Sequence, residues 1–321
     1  MILVTGSNGQ IGVDLLQALA DRYGGMHIVA ADLEGSNSRT PPDVRFEPLD
    51  VRSVDRVEEL LTTNPIDTIY HLAGILSASG EQNPDLCWDV NIGGLRNVLR
   101  AANERSLRVF WPSSIAVFGP HTVREEAPQS ARTDPDTIYG ITKATGERLC
   151  RYYASHHALD VRSIRFPGVI SYSAPPGGGT TDFAVEMFFG AIKDGAYDCF
   201  VSADTRLPMM YMPDAVKSVL DLMGADSDAL SVRTSYNVAA FSFSAGELAE
   251  AIQKYVPDFT CTFHPDFRQE IADTWPGSID DSVARADWNW IPEFDLDRMV
   301  RDMLTHIGQS LGVPVDISKV E

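Results

Sequence analysis

Gly6-Ser7-Asn8-Gly9-Gln10-Ile11-Gly12 decides how this chain is read, because of what stands on either side of it. Before it, the apolar run over Ile2–Val4 predicts a short strand. After it, Ile11, Leu15, Leu16 and Leu19 recur near helical spacing and predict a helix from Ile11 to Tyr23. Glycines spaced GxxGxxG between a strand and a helix form a phosphate-binding turn. Gly6 allows the tight turn, Gly9 lets a pyrophosphate approach the backbone, and Gly12 lets the helix pack close to the strand. Ser7, Asn8, Gln10 and Ile11 complete the loop, and the free N–H groups and positive dipole end of the helix face the phosphates.

Asp32 lies 20 residues beyond Gly12, at the end of a second predicted strand over His27–Ala31. A carboxylate there accepts hydrogen bonds from the adenine ribose hydroxyls and repels a 2′-phosphate. Its neighbours Ala31, Leu33 and Glu34 offer no cation, which favours NAD over NADP; the competing reading is a turn-forming aspartate. Asp50-Val51 closes a third strand (Val44–Leu49) and is placed to cover the adenine. Leu72-Ala73-Gly74 ends a fourth (Thr68–Leu72), where small residues let the dinucleotide pass.

The alternation continues. Ser53 caps a helix to about Thr62, a long helix is predicted over Asp85–Glu104, a fifth strand over Arg108–Trp111, a helix over Tyr139–His157, and a sixth strand over Val161–Arg165. Strict alternation implies an α/β fold, a doubly wound parallel sheet of the Rossmann type. Past Pro167 the pattern breaks. Residues 174–179 form a Pro/Gly loop by composition, helices are expected over Phe183–Lys193, after Tyr211-Met212-Pro213-Asp214 and from Ser244 to Tyr255, and the stretch after Val256 reads as irregular. The expected division is a dinucleotide-binding domain over 1–168 with part of 205–240, a smaller α/β substrate lobe over 169–310, and a tail over 311–321.

A formal charge of −19 on 321 residues disfavours nucleic acid and anionic membranes as partners. Cys87, Cys150, Cys199 and Cys261 are too far apart for a CxxC or zinc-ligand pattern, so reduced, mostly buried thiols and no metal are expected. No basic leader precedes the first strand and no apolar run approaches the ~20 residues of a membrane span, so the cytoplasm is the expected location.

Chemistry enters at Tyr139-Gly-Ile-Thr-Lys143, which puts Tyr139 and Lys143 on one helix face, and at Ser113-Ser114, which ends the preceding strand. A phenol titrates near 10 in water, and lowering it by about three units takes roughly 4 kcal/mol. One ammonium near 4 Å supplies about that much at an effective dielectric of about 20. Lys143 is therefore expected to lower the pKa of Tyr139, with Ser114 holding the substrate oxygen.

Together with Thr5-Gly6…Gly9…Gly12, the motifs His71-Leu72-Ala73-Gly74, Asn91, Ser113-Ser114…Val117-Phe118-Gly119 and Tyr139…Lys143 resemble the extended short-chain dehydrogenase/reductase family, which includes nucleotide-sugar epimerases and dehydratases. The resemblance spans the chain. It implies that Ser114, Tyr139 and Lys143 are the catalytic group, with Lys143 also bonding the nicotinamide ribose, and it adds Asn91, Pro167 and Val169 to the cofactor candidates. Two departures matter. Ile115-Ala116 stands where sugar 4,6-dehydratases carry Asp-Glu, and Arg206–Asp214 is apolar where epimerases hold a diphosphate. Gly74-Ile75-Leu76-Ser77-Ala78, residues 176–182, Thr205–Asp214 and Ile271-Ala272-Asp273-Thr274-Trp275-Pro276 are similar to one branch, the short-chain-type L-threonine 3-dehydrogenases. That implies oxidation of the L-threonine 3-hydroxyl to 2-amino-3-oxobutanoate, and a homodimer joined through the helices at Asp85–Glu104 and Tyr139–His157.

Ser77, Ser79, Gly178, Thr180 and Thr181 are the substrate-binding candidates, the last three on a glycine-rich loop read as a mobile lid. Arg206 is open between a substrate carboxylate and a structural ion pair. Met209, Met210, Met212, Trp275, Trp288 and Trp290 read as packing residues, and His156-His157 as cations at a helix end. A nucleotide-sugar epimerase and a non-enzymatic NAD sensor are the competing functions. The intact Ser–Tyr–Lys set speaks against the sensor.

Overall fold

Parallel strands covered on both faces must be apolar nearly throughout, and the strands that carry the glycine turn and its neighbours meet that demand. A computed structural model describes residues 1–173, 178–233 and 235–317. Its strands are β1 (Ile2–Thr5), β2 (Ile28–Asp32), β3 (Arg45–Pro48), β4 (Thr68–His71), β5 (Arg108–Ser114), β6 (Val161–Phe166), β7 (Gly168–Ile170), β8 (Ala196–Cys199), β9 (Arg206–Tyr211), β10 (Tyr236–Asn237), β11 (Phe241–Ser244) and β12 (Thr260–Phe263). Its α-helices are α1 (Gln10–Tyr23), α2 (Val54–Thr63), α3 (Ser77–Gln82), α4 (Pro84–Trp88), α5 (Leu95–Arg105), α6 (Ile138–His157), α7 (Phe183–Lys193), α8 (Met212–Gly224), α9 (Ala245–Gln253), α10 (Phe267–Asp273), α11 (Ser282–Trp288) and α12 (Leu296–Leu311).

The main sheet is all parallel in the order β10-β6-β5-β4-β1-β2-β3. This is the doubly wound Rossmann arrangement. Strand order reverses between β1 and β4, and a crevice opens beyond their carboxyl ends. Leu15, Leu16 and Leu19 of α1, Val219 and Leu222 of α8, and Trp288 and Trp290 cover one face. Val57 and Leu61 of α2, Val98 and Leu99 of α5, and Cys150 of α6 cover the other. A third apolar cluster joins Phe183 and Phe188 of α7, Leu248 and Ile252 of α9, and Met299, Met303 and Ile307 of α12 around the small sheet β11-β9-β7. The second half of the chain thus both covers the main sheet, through α8, α11 and β10, and builds its own core.

Several elements depart from the sequence reading. The expected long helix is interrupted by a turn of π winding at Asp89–Gly94, where Gly94 lies hard against Val51. The fifth strand runs on through Pro112 to Ser114. A proline is tolerated there because β4 pairs with β5 only as far as Phe110. The stretch after Val256 is not irregular: it holds β12 and α10 to α12. In α12 the buried Met299, Val300, Met303, Leu304 and Ile307 make a clear helical stripe. The Trp and Pro residues upstream of it masked that periodicity. No helix among the described residues is long and apolar enough to cross a membrane.

Candidate active site

β1 ends at Thr5, the chain turns through Gly6 at φ +71°, and α1 begins at Gln10. A Cβ at Gly6 would lie 2.5 Å from the Ala73 nitrogen, and one at Gly12 would lie 2.3 Å from the Gly6 carbonyl oxygen. No other residue lets the loop after β4, the turn and the helix pack this closely. The turn faces a cleft of about 630 Å³, within the range of small-molecule sites. Gly6, Asn8, Gly9, Gln10, Ile11 and Gly12 line it, as do Leu72, Gly74, Pro167 and Val169 further along. The donor set at a helix N-terminus and the closely packed glycines fit a dinucleotide pyrophosphate.

The remaining cofactor candidates stand behind or beside this wall. Asp32 accepts hydrogen bonds from the Asn8 backbone N–H (2.9 Å) and its neighbour Leu33 (2.8 Å), which fixes the carboxylate at the end of β2. Asn8 in turn reaches the Gly35 carbonyl and accepts from Asn37, tying the loop after β2 to the glycine turn. Leu33 is exposed, and Asp50 is paired with Arg52, which holds its carboxyl below the usual range. Ser7 and Val51 are buried, and Ala73 packs against Gly6. Asn91 does not line the cleft. From the π turn its amide grips the loop after β4: Oδ1 accepts from the Ile75 N–H (2.8 Å), and Nδ2 donates to the Ile75 carbonyl (3.1 Å) and to Thr142 (3.1 Å). The structure thus makes it a clamp on the cleft wall; its cofactor role was suggested by motif position alone.

Ser114, Tyr139 and Lys143 meet at the floor of the cleft. Thr137 caps α6 by accepting from the Gly140 N–H, so Tyr139 lies in the first helical turn. Tyr139 is hydrogen-bonded to Ser114, whose oxygen also accepts from the Ala116 N–H (3.2 Å). One turn on, Lys143 donates to the Pro112 carbonyl at 2.6 Å and stands 5.5 Å from the centre of the Tyr139 ring. The electrostatics correct one expectation. Burial pushes the Tyr139 phenol up to about 12, against a lowering by the Ser114 hydrogen bond. Lys143 is itself brought down to about 8 by burial, with its ammonium donating to Pro112. Beneath them His71 is fully buried; Thr5 meets its Nδ1 at 2.7 Å, and its Nε2 has no partner among the described residues. Burial, and then the charge of Lys143, hold His71 down at about 3.

The far end of the cleft is formed by the start of α3 and the segment leading into α7. Ser77 and Thr180 share a hydroxyl hydrogen bond (3.0 Å), and the Thr180 N–H donates to Ser77 Oγ (3.1 Å). Both are buried. Ser79, Thr180 and Thr181 line the cleft with Ser77, while Gly178 lies against Ser79. Residues 174–177 of the expected loop, and with them the first residue of the expected lid, lie outside the described residues. Two lining side chains escaped the sequence reading. Asp182 accepts from the Gly178 (2.9 Å) and Gly179 (2.8 Å) N–H groups, and burial raises its carboxyl pKa. Trp275, read as packing, lines the cleft at 4% exposure, and its Nε1 has no partner among the described residues. An Asp just before a helix was the visible signal for the first; the second stood in the Ile271–Pro276 stretch that carried the resemblance, without a role of its own.

The other candidates resolve as structure. Arg206 pairs with Glu247 (2.7 Å) and donates to the Ser242 carbonyl. Met209, Met210, Met212, Trp288 and Trp290 are buried in the cores. His156 and His157 pack against Tyr152 and Tyr153. Among the described residues no group of three His, Cys, Asp or Glu side chains is arranged to hold a metal.

Comparison with known proteins agrees with this geometry. An uncharacterized epimerase/dehydratase of Staphylococcus saprophyticus is 44% identical over 311 residues, spanning 95% of this chain and 96% of its own. A monomeric L-threonine 3-dehydrogenase from a metagenome shares 49% identity and a TM-score of 0.94 over 97% of this chain and 99% of that one. The L-threonine dehydrogenase of Phytophthora infestans shares 48% identity and a TM-score of 0.93 over 96% and 99%. The model of the NAD dependent epimerase/dehydratase family matches residues 2–239, from β1 through the site to the last strand of the main sheet. The chain therefore belongs to the NAD-dependent epimerase/dehydratase family, and its cofactor is NAD.

Proposed function

We propose that this enzyme oxidises the 3-hydroxyl of L-threonine to give 2-amino-3-oxobutanoate. The observation that carries the reading is the likeness to L-threonine 3-dehydrogenases along nearly the whole chain, substrate lobe included. Residues 1–168 with part of 205–240 form the nucleotide half in this reading, and 169–310 the substrate lobe.

The glycine turn would hold the pyrophosphate, Asp32 the adenine ribose, and Gly74, Pro167 and Val169 the path to the floor. Bound NAD supplies the hydride acceptor for substrate C3 and the positive charge of an oxidised nicotinamide. Tyr139, as the phenolate formed once the site is loaded, takes the hydroxyl proton. Ser114, already bonded to Tyr139, holds the substrate oxygen as it becomes a carbonyl. Lys143, anchored on Pro112, keeps a positive charge beside the phenol. Since burial holds Tyr139 protonated in the free protein, proton removal belongs to the loaded site and not to a preformed phenolate. At the far end a small zwitterion would meet the Ser77–Thr180 pair, Ser79, Thr181, Asp182 and the Trp275 N–H. An unpartnered buried donor is costly, and a substrate carboxylate would satisfy it.

Leu86 and Trp88 of α4 and Ile141 and Tyr152 of α6 expose apolar surface, which supports a homodimer through these helices. NADH absorbance with L-threonine as the sole substrate tests the function. No NADH from L-threonine, with epimerisation of a UDP-sugar and tight UDP binding, would replace this reading by an epimerase.

A further inference from the structure

The two serines that end β5 have different hydroxyl partners. Ser114 bonds with Tyr139, whereas Ser113 donates to Glu147 Oε1 at 2.7 Å. Glu147 is one helical turn beyond Lys143 on α6 and is buried. Its carboxylate also receives a two-pronged bond from Arg165 on β6, Nε to Oε1 and Nη2 to Oε2, both at 2.8 Å. Arg165 is buried too, and its Nη1 donates to Asn237 on β10 (3.1 Å) and to the Gln129 carbonyl (3.0 Å). Four of the five Arg165 N–H groups and both Glu147 oxygens thus have partners. α6 grips the end of β5 at two successive residues, through Lys143 on Pro112 and Glu147 on Ser113.

A buried ion pair contributes little net stability relative to an apolar pair of similar shape, so its placement needs another account. Burial pulls the Lys143 ammonium down, and Cys87, Cys150 and Glu147 act against that pull. Burial raises the pKa values of both thiols, leaving them neutral near pH 7. Of the three, the Glu147 carboxylate is the one that carries a negative charge in that pH range.

We propose that Glu147 is a positioning residue of the site: through Ser113 it holds the β5 end that carries Ser114, and it places a carboxylate one helical turn from Lys143. Its kinetic consequence rests on the dehydrogenase reading, while its effect on Lys143 does not. Competitive acetylation of the full-length protein, read at Lys143 by peptide mass spectrometry from pH 6 to 10, measures that effect directly. Glu147→Gln should move the midpoint of Lys143 reactivity down by about one pH unit. The paired variant Glu147→Gln/Arg165→Gln, which buries no lone charge, also removes the opposing guanidinium, so it should move the midpoint in the same direction by a smaller amount if the single variant folds poorly. Ser113→Ala keeps the carboxylate, so it should leave that midpoint in place while lowering kcat about tenfold with KM for L-threonine nearly unchanged. In the Gln variants the basic limb of the kcat profile should follow the Lys143 midpoint. An unmoved midpoint in both Gln variants overturns the charge role, and an unchanged kcat in Ser113→Ala overturns the positioning role. A wild-type protein that makes no NADH from L-threonine overturns the functional reading instead, and the acetylation result still decides the role of Glu147.

Discussion

Replacing Ser77 by Ala should separate substrate binding from cofactor binding more cleanly than any other change. In the structure Ser77 Oγ accepts from the Thr180 N–H and pairs with the Thr180 hydroxyl, both inside the protein. Alanine removes both partners and leaves a buried N–H and a buried hydroxyl on Thr180. Leaving one such group unpaired costs about 1–3 kcal/mol. A Thr180 hydroxyl can turn to a water, so the N–H dominates and about 2 kcal/mol is expected overall. That loss falls on the far wall of the cleft, while the glycine turn lies at its other end. If it is borne in binding, KM for L-threonine rises about thirtyfold; if in folding, Tm falls by a few degrees. Steady-state kinetics, NAD titration by calorimetry and thermal melts of the same preparation divide the two. Affinity for NAD should change by less than about twofold. The reasoning is refuted if NAD binding weakens as much as L-threonine binding does, or if KM and Tm are both unchanged.

Tyr139→Phe should lower kcat roughly 100- to 10,000-fold with NAD affinity retained, as measured by turnover and by cofactor titration; near wild-type turnover would sink its role as base. Asp32→Ala should weaken NAD more than NADP and so narrow the preference, which the ratio of kcat/KM for the two cofactors reports. Trp275→Phe removes a donor with no protein partner, so it should raise KM for L-threonine about tenfold with little change in Tm; a large Tm loss at unchanged KM would make Trp275 a packing residue only. His71 is held neutral, its pKa about 3 in the folded chain against about 6.5 unfolded. The unfolded state therefore binds the extra proton, and stability should fall as pH drops below about 6.5, by up to about 1.4 kcal/mol per pH unit. Urea midpoints from pH 7 to 5 check this, and a His71→Gln variant with the same slope would contradict it.

Local sequence determined the nucleotide half almost completely. The turn at Gly6–Gly12, the strands on either side and the Tyr139–Lys143 helix all follow from periods and spacings that span only a few residues. The apolar runs of buried parallel strands leave little freedom in that reading. What depended on the tertiary structure is whatever joins distant segments. Asn91 became a clamp because a π turn, invisible in the residue pattern, aims it at Ile75. Trp275 entered the cleft wall only because the chain beyond β12 folds back over the site, and a tryptophan in a lobe core has the same sequence signature. The sign of the Tyr139 shift could not be read at all, since it is set first by burial. A one-dimensional spacing places two groups on one face of a helix. Which carbonyl, carboxylate or void each then meets is decided by the packing of strands more than 30 residues away.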